Sequence, residues 1–185
     1  MAGIQQGLIG SFASNVGDYE SIATASGTGA SGTISFTSIP STYTHLQLRM
    51  FSRDDAAGTE GNYIVQFNND TAANYNSHYL EGSGAAVAAG VNTTKTYIYA
   101  FPYPQNSVTA SVYGGLILDI LDYANTNKYK TSRALGGYDA NGSGYVDFTS
   151  GLWMSTSAIN RVDIKTMGAG NWTTASRFAL YGIKG

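Results

Sequence analysis

Residues 115–144 read GLILDILDYANTNKYKTSRALGGYDANGSG. An apolar run, 116–123, meets a polar connection, 124–128, and then a second extended run, 129–135. Folding the two runs antiparallel about Thr126 places Tyr123 opposite Tyr129, Asp122 opposite Lys130, Asp119 opposite Arg133 and Ile117 opposite Leu135. Opposite-charge and aromatic cross-strand pairs stabilise a hairpin by roughly 0.2–1 kcal/mol each. A slip of one residue loses them all. Asp119, Arg133, Asp122 and Lys130 are therefore expected to form structural ion pairs, which leaves little concentrated charge for catalysis.

Working outward, 185 residues suit a single β domain. The apolar share of 43% permits a sizeable core, whereas only 12% of residues are charged, about half the usual soluble share. Gly, Ser, Thr, Asn, Ala and Tyr fill the gap, with 23 Gly and 14 Tyr. Such a surface is easy to bury against a partner, because few charges need desolvating. Net charge is −2 and the basic residues are scattered, so nucleic-acid binding through phosphates is not expected. There is no Cys, which removes disulfides, Cys-ligated zinc and a thiol nucleophile. The segment MAGIQQGLIGSF lacks a basic n-region and a long apolar h-region, so it does not read as a Sec signal. No run approaches the ~20 apolar residues of a membrane span, and no membrane partner is expected.

Residues 1–17 read as an extended N-terminal arm with Ile4, Leu8, Ile9 and Phe12 as apolar anchoring points. Residues 18–185 read as one β-sandwich domain. Period-two runs place strands at 19–25, 33–39, 44–53, 62–67, 77–80, 94–101, 108–114, 145–154, 159–166 and 177–183, beside the opening hairpin. Pro102 and Pro104 are expected to end the run 94–101. Residues 81–90, nearly all Gly, Ala and Ser, read as a mobile surface loop. The sum is about ten short strands and no helix. The expected fold class is all-β: an antiparallel, jelly-roll-like β-sandwich.

Several constellations invite chemistry. Residues 27–32, GTGASG, match G-x-G-x-x-G, but the dinucleotide fingerprint needs a helix next and TISFTSIP follows with period two. A Gly-rich loop is the better reading. Residues 139–144, DANGSG, resemble the first half of a calcium loop, with Asp147 as a further oxygen ligand, but the bidentate Glu position falls on Ser150. An Asn-Gly turn explains the same residues. The two histidines, His45 and His78, lie on different strands, so a triad would have to be built from one of them alone. Asp119 and Asp122 point to opposite faces of one strand by alternation, so they do not flank a sugar bond. No catalytic, metal or cofactor-binding residue is expected. Trp153 reads as core. Trp172, in a Gly-rich loop, is the candidate exposed contact to a ligand, with a glycan as the natural class.

The segments GIQQGLIGSF, IPSTYTHLQLR, LDILDYANTNKYKTSRALGGYDANGSG, SGLWMSTSAI and FALYGIK together resemble a family of small virion structural proteins of tailed bacteriophages, frequent in marine phages. The resemblance covers most of the chain and is strongest in the opening hairpin. It implies a virion component, assembled in the host cytoplasm, with no enzymatic activity and no cofactor. Capsid decoration or a head or tail fibre are the implied places. The expected partners are the chain itself, as a homo-oligomer and most simply a homotrimer, and other phage capsid or tail proteins. The alternative is a tail module that binds a host receptor or surface glycan.

Overall fold

The computed structural model describes residues 17–185, which form twelve β-strands and, among the described residues, no helix. The expected arm, with Ile4, Leu8, Ile9 and Phe12, lies outside the described residues apart from Gly17. The strands are β1 (Tyr19–Ser26), β2 (Thr33–Phe36), β3 (His45–Ser52), β4 (Glu60–Phe67), β5 (Tyr75–Gly82) and β6 (Val87–Lys95). Then follow β7 (Ile98–Pro104), β8 (Gly114–Leu121), β9 (Lys130–Asp139), β10 (Gly144–Trp153), β11 (Val162–Thr166) and β12 (Arg177–Ile183). All pairings are antiparallel. One sheet runs β1-β12-β3-β8-β9-β10-β5-β6 and the other β2-β11-β4-β7.

Eight of these strands pair from the two ends of the sequence inward: β1 with β12, β2 with β11, β3 with β8, and β4 with β7. That is jelly-roll pairing, two interlocked Greek keys that alternate between sheets. The remaining four strands are two hairpins. β5–β6 enters between β4 and β7, and β9–β10 enters between β8 and β11. Both hairpins extend the same sheet beyond β8, so one sheet has eight strands and the other four. We call this four-strand extension the wing.

Alternation carries the core. Leu46, Leu48 and Met50 on β3, Leu116, Leu118 and Ile120 on β8, and Phe178 and Leu180 on β12 all point inward from the large sheet. They meet Ile34 and Phe36 of β2, Tyr63, Val65 and Phe67 of β4, and Val162 and Ile164 of β11 in one buried cluster. Two aromatic groups close it. Trp172 packs on Tyr63, Tyr103 and Phe178, with ring centroids 5.4, 4.9 and 5.4 Å away. Trp153 packs on Phe67 and Tyr75, and its indole N–H donates to Asp70 Oδ2 at 2.7 Å.

The opening hairpin adopts the register read from its charges: Asp119 pairs with Arg133 and Ile117 with Leu135. Asp119 and Arg133 stand 3.7 Å apart. The Asp122–Lys130 ion pair does not form. β8 ends at Leu121, and Asp122 takes a left-handed φ of 48°, which turns its carboxylate to Lys128 and His45. Lys130 is fully buried, and its ammonium donates to the carbonyls of Asn125, Lys128 and Thr156 at 2.6, 3.0 and 3.1 Å. Tyr123 is likewise buried, with its hydroxyl on the Pro40 carbonyl, while Tyr129 stays exposed, so these rings do not pair.

Three other expectations are corrected. Residues 81–90 are not a loop: β5 runs to Gly82 and β6 starts at Val87, with the turn closed by Ser83 N–H donating to the Ala86 carbonyl at 3.0 Å. Backbone pairing needs no large side chain, and the missing Cβ of Gly90 leaves room for the Tyr79 ring to lie over it. Residues 108–113 are turns rather than a strand, and Gly114 opens β8. The buried Arg53 guanidinium takes the carbonyls of Asn106, Val108, Thr109 and Val112 at 2.8–3.2 Å, leaving them unavailable to a sheet. The run 94–101 is split, because β6 belongs to the large sheet and β7 to the small one. β7 continues through Pro102 and Pro104 because it is an edge strand, and its pairing with β4 shifts by one residue between Ala100 and Pro102.

Candidate functional site

The outer face of the large sheet is built by the residues that alternate with the core. One cross-strand row runs Ala89 (β6), Leu80 (β5), Phe148 (β10), Leu135 (β9), Ile117 (β8) and Arg49 (β3). The next row runs Val87, Gly82, Val146, Gly137, Gly115 and Phe51. Val91 flanks Leu80 on β6. Eight large apolar side chains of this face are 41–78% exposed: Phe51, Leu80, Val87, Val91, Ile117, Leu135, Val146 and Phe148. Six of them sit on the wing. A groove of about 280 Å³ runs among Leu80, Val87, Leu135, Val146 and Phe148. Scattered exposed apolar residues need no explanation, but a contiguous field of them marks an interaction site.

The same face turns polar toward β12 and β1. Arg49 lies 5.5 and 5.9 Å from the rings of Tyr19 and Tyr181, which stack at 4.8 Å. Tyr19 Oη and Arg49 Nε both donate to Gln47 Oε1, at 2.9 and 3.0 Å, and Gln47 Nε2 donates to Asp119 Oδ1 at 2.8 Å. The polar side of β3 is thus an ordered strip that borders the apolar field.

A second candidate lies on the inner side of the wing. Glu60 and Asn62 of β4, Tyr99 of β7, Tyr79 and Glu81 of β5, Asn92 of β6, and Tyr145 and Asp147 of β10 line an open cleft of about 250 Å³. Asp147 is buried there, opposite Glu81 in the ladder. Its Oδ1 accepts from Thr149 Oγ1 at 3.1 Å. Burial first, and the Glu81 charge after it, push the Asp147 carboxyl up to about 6. A carboxyl raised in the fold stabilises it fully below the unfolded value of about 3.9, and that stability is lost as pH rises through 6. Asp147→Asn is therefore expected to stabilise the protein by about 1–3 kcal/mol at pH 8 and by almost nothing at pH 3.5. Thermal melts of both proteins across that range check it. An equal difference at both ends would refute an ionisation penalty.

The other sequence candidates resolve into structure. Trp172 is fully buried, so it is no exposed ligand contact. Its loop folds inward because Trp172 N–H donates to the Ser31 carbonyl at 3.0 Å and its carbonyl accepts Gly29 N–H at 2.9 Å. Those contacts also answer the G-x-G-x-x-G match. Gly27 and Gly29 spend their N–H groups on the carbonyls of Ser176 and Trp172, and a strand follows. Residues 139–144 form a hairpin turn, with Asn141 and Gly142 at φ 63° and 100° and Ala140 N–H donating to the Ser143 carbonyl at 2.7 Å. Both central residues at positive φ define a type I′ turn. Asp147 faces inward three positions along β10 from Gly144, roughly 10 Å from the turn at strand rise. No group of three or more His, Asp or Glu residues close enough to hold a metal ion occurs among the described residues.

His45 and His78 lie on β3 and β5, with β8, β9 and β10 between them. His45 adjoins a carboxylate, at 3.6 Å from Asp122 Oδ1, but its Nδ1 accepts the Asp122 backbone N–H at 2.9 Å. That orientation is the reverse of a Ser-His-Asp arrangement, in which Nδ1–H donates to the acid. Asp119 is held by Gln47 and Arg133, and Lys128 draws the Asp122 carboxyl below the usual carboxylate range.

Sequence reasoning missed Arg53, the wing face and the ion pair of Arg161 with buried Asp163. Asp163 is fully buried, with Arg161 Nε 2.8 Å from its Oδ2 and Ser35 Oγ 2.5 Å from its Oδ1. Burial alone would raise its carboxyl; these bonds outweigh it and hold it low. A signal for the face existed: Leu116–Leu121 and Tyr145–Trp153 carry apolar residues on both sides of the alternation. Comparison with protein-family models, with curated proteins and with solved structures returned no match.

Proposed function

We propose that this protein is a structural component of a bacteriophage virion that acts by assembly and adhesion, as a capsid decoration or a head or tail fibre part. The observation that supports the reading is the outer face of the wing. A rigid jelly roll carries two extra hairpins whose outward side chains form one apolar field at a sheet surface of low charge. Burying that field against a protein partner is the use its chemistry fits, because apolar area is favourable to remove from water and few ions resist it. The sequence resemblance supplies the virion setting. The apolar residues Ile4, Leu8, Ile9 and Phe12 keep their proposed role as an anchor to a shell or tail protein.

A second reading, a host-receptor or glycan-binding module, shifts from Trp172 to the cleft of Tyr79, Tyr99, Tyr145, Glu81 and Asp147. Tyrosine faces suit sugar rings, and Asn62, Asn92 and the carboxylates suit hydroxyl groups. Cryo-EM of phage particles carrying the chain separates the readings. The structural role predicts copies repeated on the shell or along an appendage, with the wing face covered. Copies confined to a tail tip, with the cleft turned outward, would favour the second reading. Absence of the chain from purified particles would overturn both.

A further inference from the structure

We propose that the wing face is the seat of a second copy of this chain, packed sheet on sheet as a two-fold dimer. The inference rests on the assembly reading above and names its partner.

The area of the field supports this partner. Eight side chains at 41–78% exposure leave roughly 60–120 Å² open each, taking ~150 Å², the low end for an aromatic ring, as the size of a whole side chain. The field is then roughly 650 Å². Ordinary monomers show largest patches of about 300–600 Å², and a standard interface buries about 800 Å² per partner. The patch is the size of one side of a stable dimer.

Leu80, Leu135, Val146, Phe148 and their neighbours bring no ion into the centre, and the bordering Asp119 and Arg133 already pair with each other. A second copy therefore meets no charge at the centre of the field, and Arg49, which lies over the Tyr19 and Tyr181 rings, forms the rim with Gln47 and Asp119. An apolar centre with a polar rim is the anatomy of homodimer interfaces.

One self-complementary patch makes an isologous pair, whereas a closed trimer needs two different surfaces that match. Packing face to face also buries the field. Pairing through the β6 edge, which has Lys95 as its sole charge, would continue the sheet and leave the field open.

Sedimentation equilibrium on the full chain, with Leu135→Asp/Phe148→Asp beside it, tests the proposal. Both side chains point to solvent, and unchanged near-UV circular dichroism and melting of the diluted variant would show that it folds. The parent is expected to dimerise at micromolar concentration, and the variant to dimerise at least 100-fold more weakly, as loss of interface hot spots does. Footprinting should find Leu80, Val146 and Phe148 protected in the parent at high concentration and open on dilution. A monomeric parent, a trimer, or a dimer in which these residues stay open would overturn the inference. If the parent is monomeric, particle incorporation decides the wider reading: a face variant lost from particles upholds assembly through this face onto another protein, and a variant retained as well as the parent refutes that too.

Discussion

Trp172→Ala is expected to lose about 3–5 kcal/mol of stability, the range for deleting a large buried aromatic. Trp172 has no exposed surface, and it sits among Tyr63, Tyr103 and Phe178 where the loop before β12 enters the core. Its main chain also ties residues 29 and 31 to that loop, so a collapse there would loosen the β1–β2 connection. At roughly 2–4 °C per kcal/mol for a chain of this size, the melting temperature should fall by about 6–20 °C. Trp172→Phe should cost far less. The indole N–H has no acceptor among the described residues, so its removal relieves an unsatisfied donor while most of the ring volume stays. Thermal melts of the two variants decide it: equal losses would mean that the indole N–H is satisfied, and a neutral Trp172→Ala would contradict the packing.

Lys130→Met is expected to cost about 3 kcal/mol. The Lys130 side chain lies inside the sandwich, and three backbone carbonyls, of Asn125, Lys128 and Thr156, depend on its ammonium. Met fills the length but donates nothing, and each stranded carbonyl costs on the order of 1 kcal/mol or more. The ammonium itself is desolvated, which lowers its proton affinity below that of an ordinary lysine; the bonds to the carbonyls offset that cost. Lys128→Met is the control. Lys128 is exposed and pairs with Asp122 at the surface, a contact worth less than about 1 kcal/mol. Urea titrations should show a clearly larger drop for Lys130→Met. Equal drops would mean that the three carbonyls find water instead. Hydrogen exchange should localise the loss to residues 122–130 and 155–159, which Lys130 and the Ile159 N–H to Tyr123 carbonyl contact join.

Lys130 also shows where reading the chain falls short. Register was legible, because Asp119 and Arg133 pair only when Ile117 meets Leu135, and the structure keeps that register. Which of two neighbouring lysines reaches Asp122 was not legible. It depends on a single left-handed residue at the strand end and on a distant loop, 155–159, that offers a carbonyl. Trp172 is a parallel case. A Gly-rich setting reads as exposed loop, but a loop can fold over a sandwich end, and only the place of Tyr63, Tyr103 and Phe178 in space shows that it does.

The candidate face was half legible. Apolar residues on both sides of Leu116–Leu121 and Tyr145–Trp153 are local facts of the chain, and they announce strands with two apolar faces. Whether the second face meets another sheet or water is not local. The four-stranded sheet ends at β7, which lies over the inner side of β8, β9 and β10, and nothing among the described residues lies over the outside.

By itself, then, the sequence determined an all-β sandwich, its strand periods, the register of its central hairpin and a surface poor in charge, since these follow from alternation, turn chemistry and composition over a few neighbouring residues. The tertiary structure alone decided that two hairpins join one edge of a jelly roll, that Lys130, Arg53, Asp163 and Trp172 lie inside, and that the outer wing face stays open. Each of those depends on contacts between segments far apart in the chain, where burial is set by what another strand leaves uncovered.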